Sequence, residues 1–202
     1  MPRHKGCKKN NNNTLFFPQE YFEVFKYLVP TQQHTATFLI NTGARINEAR
    51  NVKLEDVDIN NKRMTIKVTK ARAVIGESIG KPRTIPISSK FAAYLAKYTR
   101  ESKLSQKDTF KLLSTNGFNA GLKKACMKAG LKDWKDFSAN NLRKTFEVWI
   151  MSLGVDNQTM LNIMGYSFST AIHYYISPDC FTIQERQMIR DILGDIYMRG
   201  LS

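Results

Sequence analysis

Two arginines stand where a charge is hard to place. In NTGARINEARNV (41–52), Arg45 comes one residue after Gly43-Ala44 and only a few positions beyond the apolar Phe38, Leu39 and Ile40; Glu48 follows three residues later. In SANNLRKTFEVWIMSLG (138–154), Arg143 follows Leu142 and precedes an apolar stripe of Phe146, Ile150, Met151 and Leu153. A guanidinium keeps its proton even when partly buried, so each calls for an anion. Lys70 closes a strand-like run, and YYIS supplies two adjacent tyrosines, Tyr174 and Tyr175. Two arginines, a lysine and a tyrosine are the parts needed for transesterification at a phosphodiester. Taken alone, Arg45 and Glu48 have a plainer reading, a helix-surface ion pair three residues apart worth a few tenths of a kcal/mol.

The chemistry follows from charge. A five-coordinate phosphorus carries extra negative charge on its non-bridging oxygens, and guanidinium forks match those oxygens in geometry and sign. A lysine can protonate the departing 5′ oxygen. A tyrosine phenol, with a free pKa of about 10, becomes a usable nucleophile where nearby cations stabilise phenolate. No metal or other cofactor is required.

The elements that must position these groups show in the periodicity. Residues 1–13, ending in four asparagines, lack apolar spacing and read as a disordered basic arm, with one domain over 14–202. From Pro18 to Pro30, Tyr21, Phe22, Phe25 and Leu28 predict a first helix; a second runs from about Thr35 to Arg50, bent near Thr42-Gly43. Leu54, Val57 and Ile59, then Met64, Ile66 and Val68, then Thr84, Ile85 and Ile87 suggest a three-stranded antiparallel meander broken by Asn60-Asn61 and by Gly76 and Gly80. Helical patterns follow Ser88-Ser89, one ending at Gly130, another at Gly154, and the last an amphipathic helix over 181–199. The fold class is α+β, mainly helical with a small three-stranded antiparallel sheet.

Composition narrows the partner. The 31 Lys and Arg against 17 Asp and Glu give a net charge of +14, which favours a polyanion, because neutralising phosphates releases condensed counterions. No apolar run approaches the roughly 20 residues that span a bilayer, and the N-terminus lacks the apolar core of a signal peptide, so a soluble, intracellular protein is expected. Cys7, Cys126 and Cys180 show no metal-ligand spacing and read as unpaired thiols.

From about residue 32 to 178 the chain resembles the tyrosine recombinases, or phage-type integrases. NTGARINEARNVKLEDVDI resembles the family's first-arginine box (TGxRxxE, then an aspartate before the strand), KPRTIPIS the strand closing the hairpin, and SANNLRKTFEVWIMSLGVDNQTMLNIMGYS the second-arginine box (HxLRHTF, then LLGHS). Each box alone is weak; their order and spacing together are specific. The resemblance implies the family's catalytic fold and assigns Arg45 and Arg143 to clamp the scissile phosphate, with Glu48 orienting Arg45. Lys70 would be the general acid, or Lys81, because ARAVIGESIG lengthens the hairpin. The position three before Arg143, usually histidine, is Asn140, an amide that can donate to phosphate but cannot shuttle a proton. The histidine of GHS is Tyr166. The family's usual spacing of nine residues beyond that position selects Tyr175 as nucleophile; matching STAIHYY to the family's flanking letters selects Tyr174.

The resemblance further implies a metal-independent DNA strand transferase acting through a 3′-phosphotyrosyl link on double-stranded DNA with a specific recombination site. It also implies a homo-oligomer, a tetramer on DNA, with the C-terminal helix either capping its own core or exchanged in trans. The location would be cytoplasmic, with the nucleoid or in the host of a virus or plasmid. Only about 30 residues precede the match, which suggests a catalytic fragment or a minimal member. A type IB topoisomerase-like enzyme would use the same parts, and a catalytically degenerate DNA-binding regulator would fit Asn140 and Tyr166.

Overall fold

The computed structural model describes residues 14–67, 82–165 and 180–196. The arm over 1–13, Lys70, Lys81, Tyr166, Tyr174, Tyr175 and the end of the chain beyond 196 lie outside them.

Helix α1 (Pro18–Lys26) begins on a proline whose missing N–H costs nothing at a first turn, and Glu20 accepts from the Phe17 amide at 3.0 Å. Helix α2 (Pro30–Thr42) also starts on proline and stops at Gly43, which takes the left-handed conformation with φ of 60°. A Cβ at Gly43 would fall 2.3 Å from the Phe146 ring, so both conformation and space demand glycine there. Arg45 is then extended (φ −66°, ψ 143°) and caps the short helix α3 (Ile46–Arg50). The single bent helix expected over 35–50 is therefore two helices, because a left-handed residue followed by an extended one turns the chain rather than bending it.

The meander forms as expected in order and direction: β1 (Val57–Asp58), β2 (Arg63–Ile66) and β3 (Arg83–Pro86), antiparallel, with Met64 opposite Ile85 and Ile66 opposite Arg83. Leu54 belongs instead to a 3-10 turn, Leu54–Asp56, in which the Asp56 carboxylate accepts from the Lys53 amide at 3.0 Å. Met64, Ile66 and Ile85 are buried on one face of the sheet.

The helices that follow carry side-chain caps: α4 (Ser89–Glu101) from Ser88, α5 (Thr115–Lys128) from Ser114, and α7 (Asn157–Met164) from Asp156. Helix α6 (Ala139–Ser152) is buried on most sides and packs against α2 at the centre of the fold. The segment before α1 threads into this core. Phe16 stacks on Phe137 at 4.1 Å, and its carbonyl accepts from the Trp149 indole at 3.1 Å. The helix expected over 181–199 is α8 (Ile183–Leu193), opened by a Thr182–Glu185 capping box and stopped at Gly194. It lies on its own α1 and α6, with Ile189 and Leu193 fully buried. Beyond it, Asp195 accepts from the Ser89 amide at the start of α4 at 2.6 Å.

Candidate active site

The turn between α2 and α3 places Arg45 at the N-cap of α3, where its backbone amide would otherwise lack a partner. Glu48 meets that need: its Oε2 accepts from the Arg45 amide at 3.1 Å, and its Oε1 accepts from Arg45 Nη1 at 3.0 Å. The carboxylate therefore fixes both backbone and side chain of one arginine. Glu48 is 4% exposed and Arg45 51%, so the guanidinium leans out from a buried anchor. An ordinary helix-surface pair has two solvated partners; here one is desolvated and held from several sides.

Arg83 is the second partner of Glu48. Its Nη2 donates to Glu48 Oε2 at 2.7 Å, and its Nε donates to the Ile163 carbonyl near the end of α7 at 2.7 Å. Its side chain is 8% exposed. Reading KPRTIPIS for its lysine passes over this residue. The signal was the period of the strand: Arg83 shares the inward face with Ile85 and Ile87, so an arginine there must be buried and partnered.

Arg143 enters from α6. It is buried, its Nη1 donates to the Gly43 carbonyl and its Nη2 to the Met164 carbonyl, each at 2.5 Å. Gly43 is two residues before Arg45, and Met164 is the last residue of α7 before the left-handed Gly165. Two segments separated by more than a hundred residues are thus joined by one guanidinium. Beside these carbonyls, the Arg143 charge also acts on Glu48.

Electrostatics around Glu48 follow. Burial pushes its carboxyl up, but the hydrogen bond and charge of Arg83, the charge of Arg143 and the Arg45 amide together hold it below the ordinary carboxylate value. Glu147, one turn beyond Arg143 on α6, is buried, and burial raises its carboxyl against the pull of Arg143 and Lys144. Three guanidinium groups around Glu48 leave an excess of positive charge, the setting that attracts an oxyanion. Asn140 is exposed in the first turn of α6, on the face it shares with Arg143 three residues on. Its neighbour Asn141 points inward, donating to the Thr14 carbonyl and accepting from the Ser138 amide.

Among the sequence-predicted residues, the structure brings Arg45, Glu48 and Arg143 together and puts Asn140 on the same helix as Arg143. Lys70, Lys81, Tyr166, Tyr174 and Tyr175 belong to the undescribed stretches 68–81 and 166–179. Two ion pairs stand in the described residues on either side of the first of these stretches: Lys67 meets Asp56 at 2.5 Å just after β2, and Arg83 meets Glu48 at the start of β3. Among the described residues no group of His, Cys, Asp and Glu is arranged to hold a metal ion.

Comparison with known proteins gives this arrangement a context. The sequence profile of the Phage integrase family matches residues 23–180. The tyrosine recombinase XerA of Pyrococcus furiosus is 23% identical over 154 residues, which cover 68% of this chain and 46% of that protein. The chain thus spans about half the length of that curated relative. Among solved structures, XerA recombinase superposes with a TM-score of 0.63 at 16% identity, covering 88% of this chain and 64% of that one. The Tn1549 transposon integrase in complex with circular intermediate DNA gives 0.64 at 16% identity, covering 91% and 67%. The catalytic domain of bacteriophage HP1 integrase gives 0.56 at 19% identity, covering 80% and 86%.

Proposed function

The chain belongs to the phage integrase family, and from that premise we propose that it is a site-specific DNA recombinase that cleaves and rejoins strands through a 3′-phosphotyrosyl intermediate. The observation that carries the proposal is the arrangement around Glu48. A half-exposed guanidinium, Arg45, is anchored by a buried carboxylate beside Arg83 and Arg143, and the cluster carries excess positive charge.

In this reading the phosphate binds against Arg45, with Arg143 organising the turn that presents it and adding its charge. The tyrosine Oη, of Tyr175 or alternatively Tyr174, attacks phosphorus as its proton passes to water. The bond from phosphorus to the 5′ oxygen breaks, and Lys70, or Lys81, gives that oxygen its proton. The free 5′ hydroxyl of a partner strand then attacks the phosphotyrosine, which restores the diester and the phenol. The ester bond is conserved at each step, so no nucleotide hydrolysis is needed. Asn140 and Tyr166 serve as neutral hydrogen-bond donors to the phosphate oxygens.

The partner is double-stranded DNA carrying a recombination site, on which copies of the chain assemble as a tetramer. Because α8 covers its own core through Ile189 and Leu193, any exchange of the C-terminal segment between copies belongs to the assembled state. None of the described helices is long and apolar enough to cross a membrane, and the proposed place of action is the cytoplasm, at DNA.

Incubation with paired duplexes carrying the site tests the outcome. Recombinant products that disappear in Tyr175→Phe or Tyr174→Phe support the proposal. Relaxation of supercoiled DNA without recombinants points to a topoisomerase-like enzyme, and binding without strand breakage to a regulator.

A further inference from the structure

Arg83 is placed as few surface-directed arginines are. It sits on the inward face of β3 opposite the fully buried Ile66, and its guanidinium spans two elements: Nη2 on Glu48 of α3 and Nε on the Ile163 carbonyl of α7. The fold makes room for it. A Cβ on Gly165 would stand 3.2 Å from Arg83 Cδ and 3.3 Å from Nη1. Glu48 Oε2 is shared between Arg83 and the Arg45 amide, while Oε1 serves the Arg45 guanidinium. Remove Arg83, and the buried carboxylate keeps one direct partner instead of two.

We propose that Arg83 is a positioning residue for strand cleavage, holding the Glu48 carboxylate in place so that Arg45 points at the phosphate, while tying β3 to the end of α7. The proposal rests on the strand-transfer reading above. Arg83 acts through Glu48 and touches no reacting atom. Its geometry also makes it specific for arginine, since a lysine ammonium is a single point and cannot reach Glu48 and the Ile163 carbonyl from two nitrogens at once.

The consequence is a pH signature. Among the described residues, the charged groups facing Glu48 are Arg45 from the start of α3, Arg83 from β3 and Arg143 from α6. Without Arg83, burial regains ground against the remaining arginines, and Glu48 takes up a proton at higher pH. A neutral Glu48 holds Arg45 weakly. Misplacing a phosphate-binding group by about 1 Å can cost roughly a hundredfold in rate.

The test is single-turnover formation of a covalent adduct on a nicked suicide duplex, followed from pH 5 to 7 with the full chain. Arg83→Gln should slow cleavage by roughly 10- to 100-fold at pH 7 while duplex affinity stays within about threefold. Its deficit should widen as pH falls, and Arg83→Lys should recover part of the loss. In a Glu48→Gln background, Arg83→Gln should add less than about threefold, with no further pH dependence. A rate for Arg83→Gln within about twofold of wild type, or losses that multiply in the double variant, overturns the proposal. Should Arg83→Gln fail to fold, Arg83→Lys carries the test, and a wild-type rate from it likewise overturns the proposal. Carbon-detected NMR titration of the Glu48 carboxyl in DNA-free protein decides the clamp independently of activity. An upward shift in the Arg83 variant supports it and an unmoved titration rejects it, even if wild-type protein forms no adduct and the strand-transfer reading itself falls.

Discussion

The two arginines that the sequence offers as a matched pair are not equivalent in the structure. Arg45 is half exposed and held at one edge by Glu48, whereas Arg143 is buried and donates to two carbonyls that close the turns at Gly43 and Met164. Their substitutions should therefore separate. Arg45→Ala removes a phosphate donor and little packing, so cleavage should fall roughly 10²- to 10³-fold while the melting temperature stays close to wild type. Arg143→Ala leaves buried carbonyls without a donor at a cost of about 1–3 kcal/mol each, so activity and melting temperature should fall together, as calorimetry beside the cleavage assay would show. The sequence made Arg45, Glu48 and Arg143 visible, because their spacing within two boxes is strict. It could not show what Arg143 holds, since an apolar stripe reports burial and not the identity of a partner. Arg83 is marked in the sequence only by strand alternation, which sets it on the inward face with Ile85 and Ile87, while the letters KPR point first to the lysine.

At the scale of elements, Pro18 and Ser88 mark helix starts in the sequence as in the structure, whereas Pro30 opens α2 where the pattern made it the end of the first helix, and Gly43 and Gly194 stop helices that the apolar spacing carried through them. The separation of α2 from α3 was less legible, because an extended Arg45 depends on the Glu48 capping contact and not on local propensity. One buried contact between elements gives a pH prediction. His34 on α2 lies between the Tyr94 hydroxyl of α4 and the Phe110 carbonyl, at 2.6 and 2.7 Å, and stacks on Tyr98. The carbonyl requires a donor, so Nε2 carries the proton and Nδ1 accepts from Tyr94. Burial lowers the His34 pKa below its ordinary 6.5, and the Phe110 hydrogen bond offsets this only in part. The unfolded chain thus binds the proton first as pH falls. Stability from His34 is complete above about pH 6.5 and declines below it, towards the folded pKa. Urea unfolding between pH 5 and 7 should show this slope, and His34→Gln should flatten it.

For the whole molecule, a net charge of +14 and the cluster around Glu48 make the same demand on a partner. Duplex binding should weaken linearly in log–log terms with salt, by roughly 10³-fold or more between 50 and 200 mM if six or more phosphates are neutralised; an affinity indifferent to salt would separate the charge from the function. The central claim, that this arrangement serves covalent cleavage of DNA, is tested most directly by trapping protein on a nicked suicide duplex and sequencing the peptide that carries the nucleotide. An SDS-resistant adduct on Tyr175 is expected, lost in Tyr175→Phe and strongly reduced in Arg45→Ala. An adduct on Tyr174 would move the nucleophile by one residue, and the absence of any adduct from wild-type protein on its own site would contradict the claim.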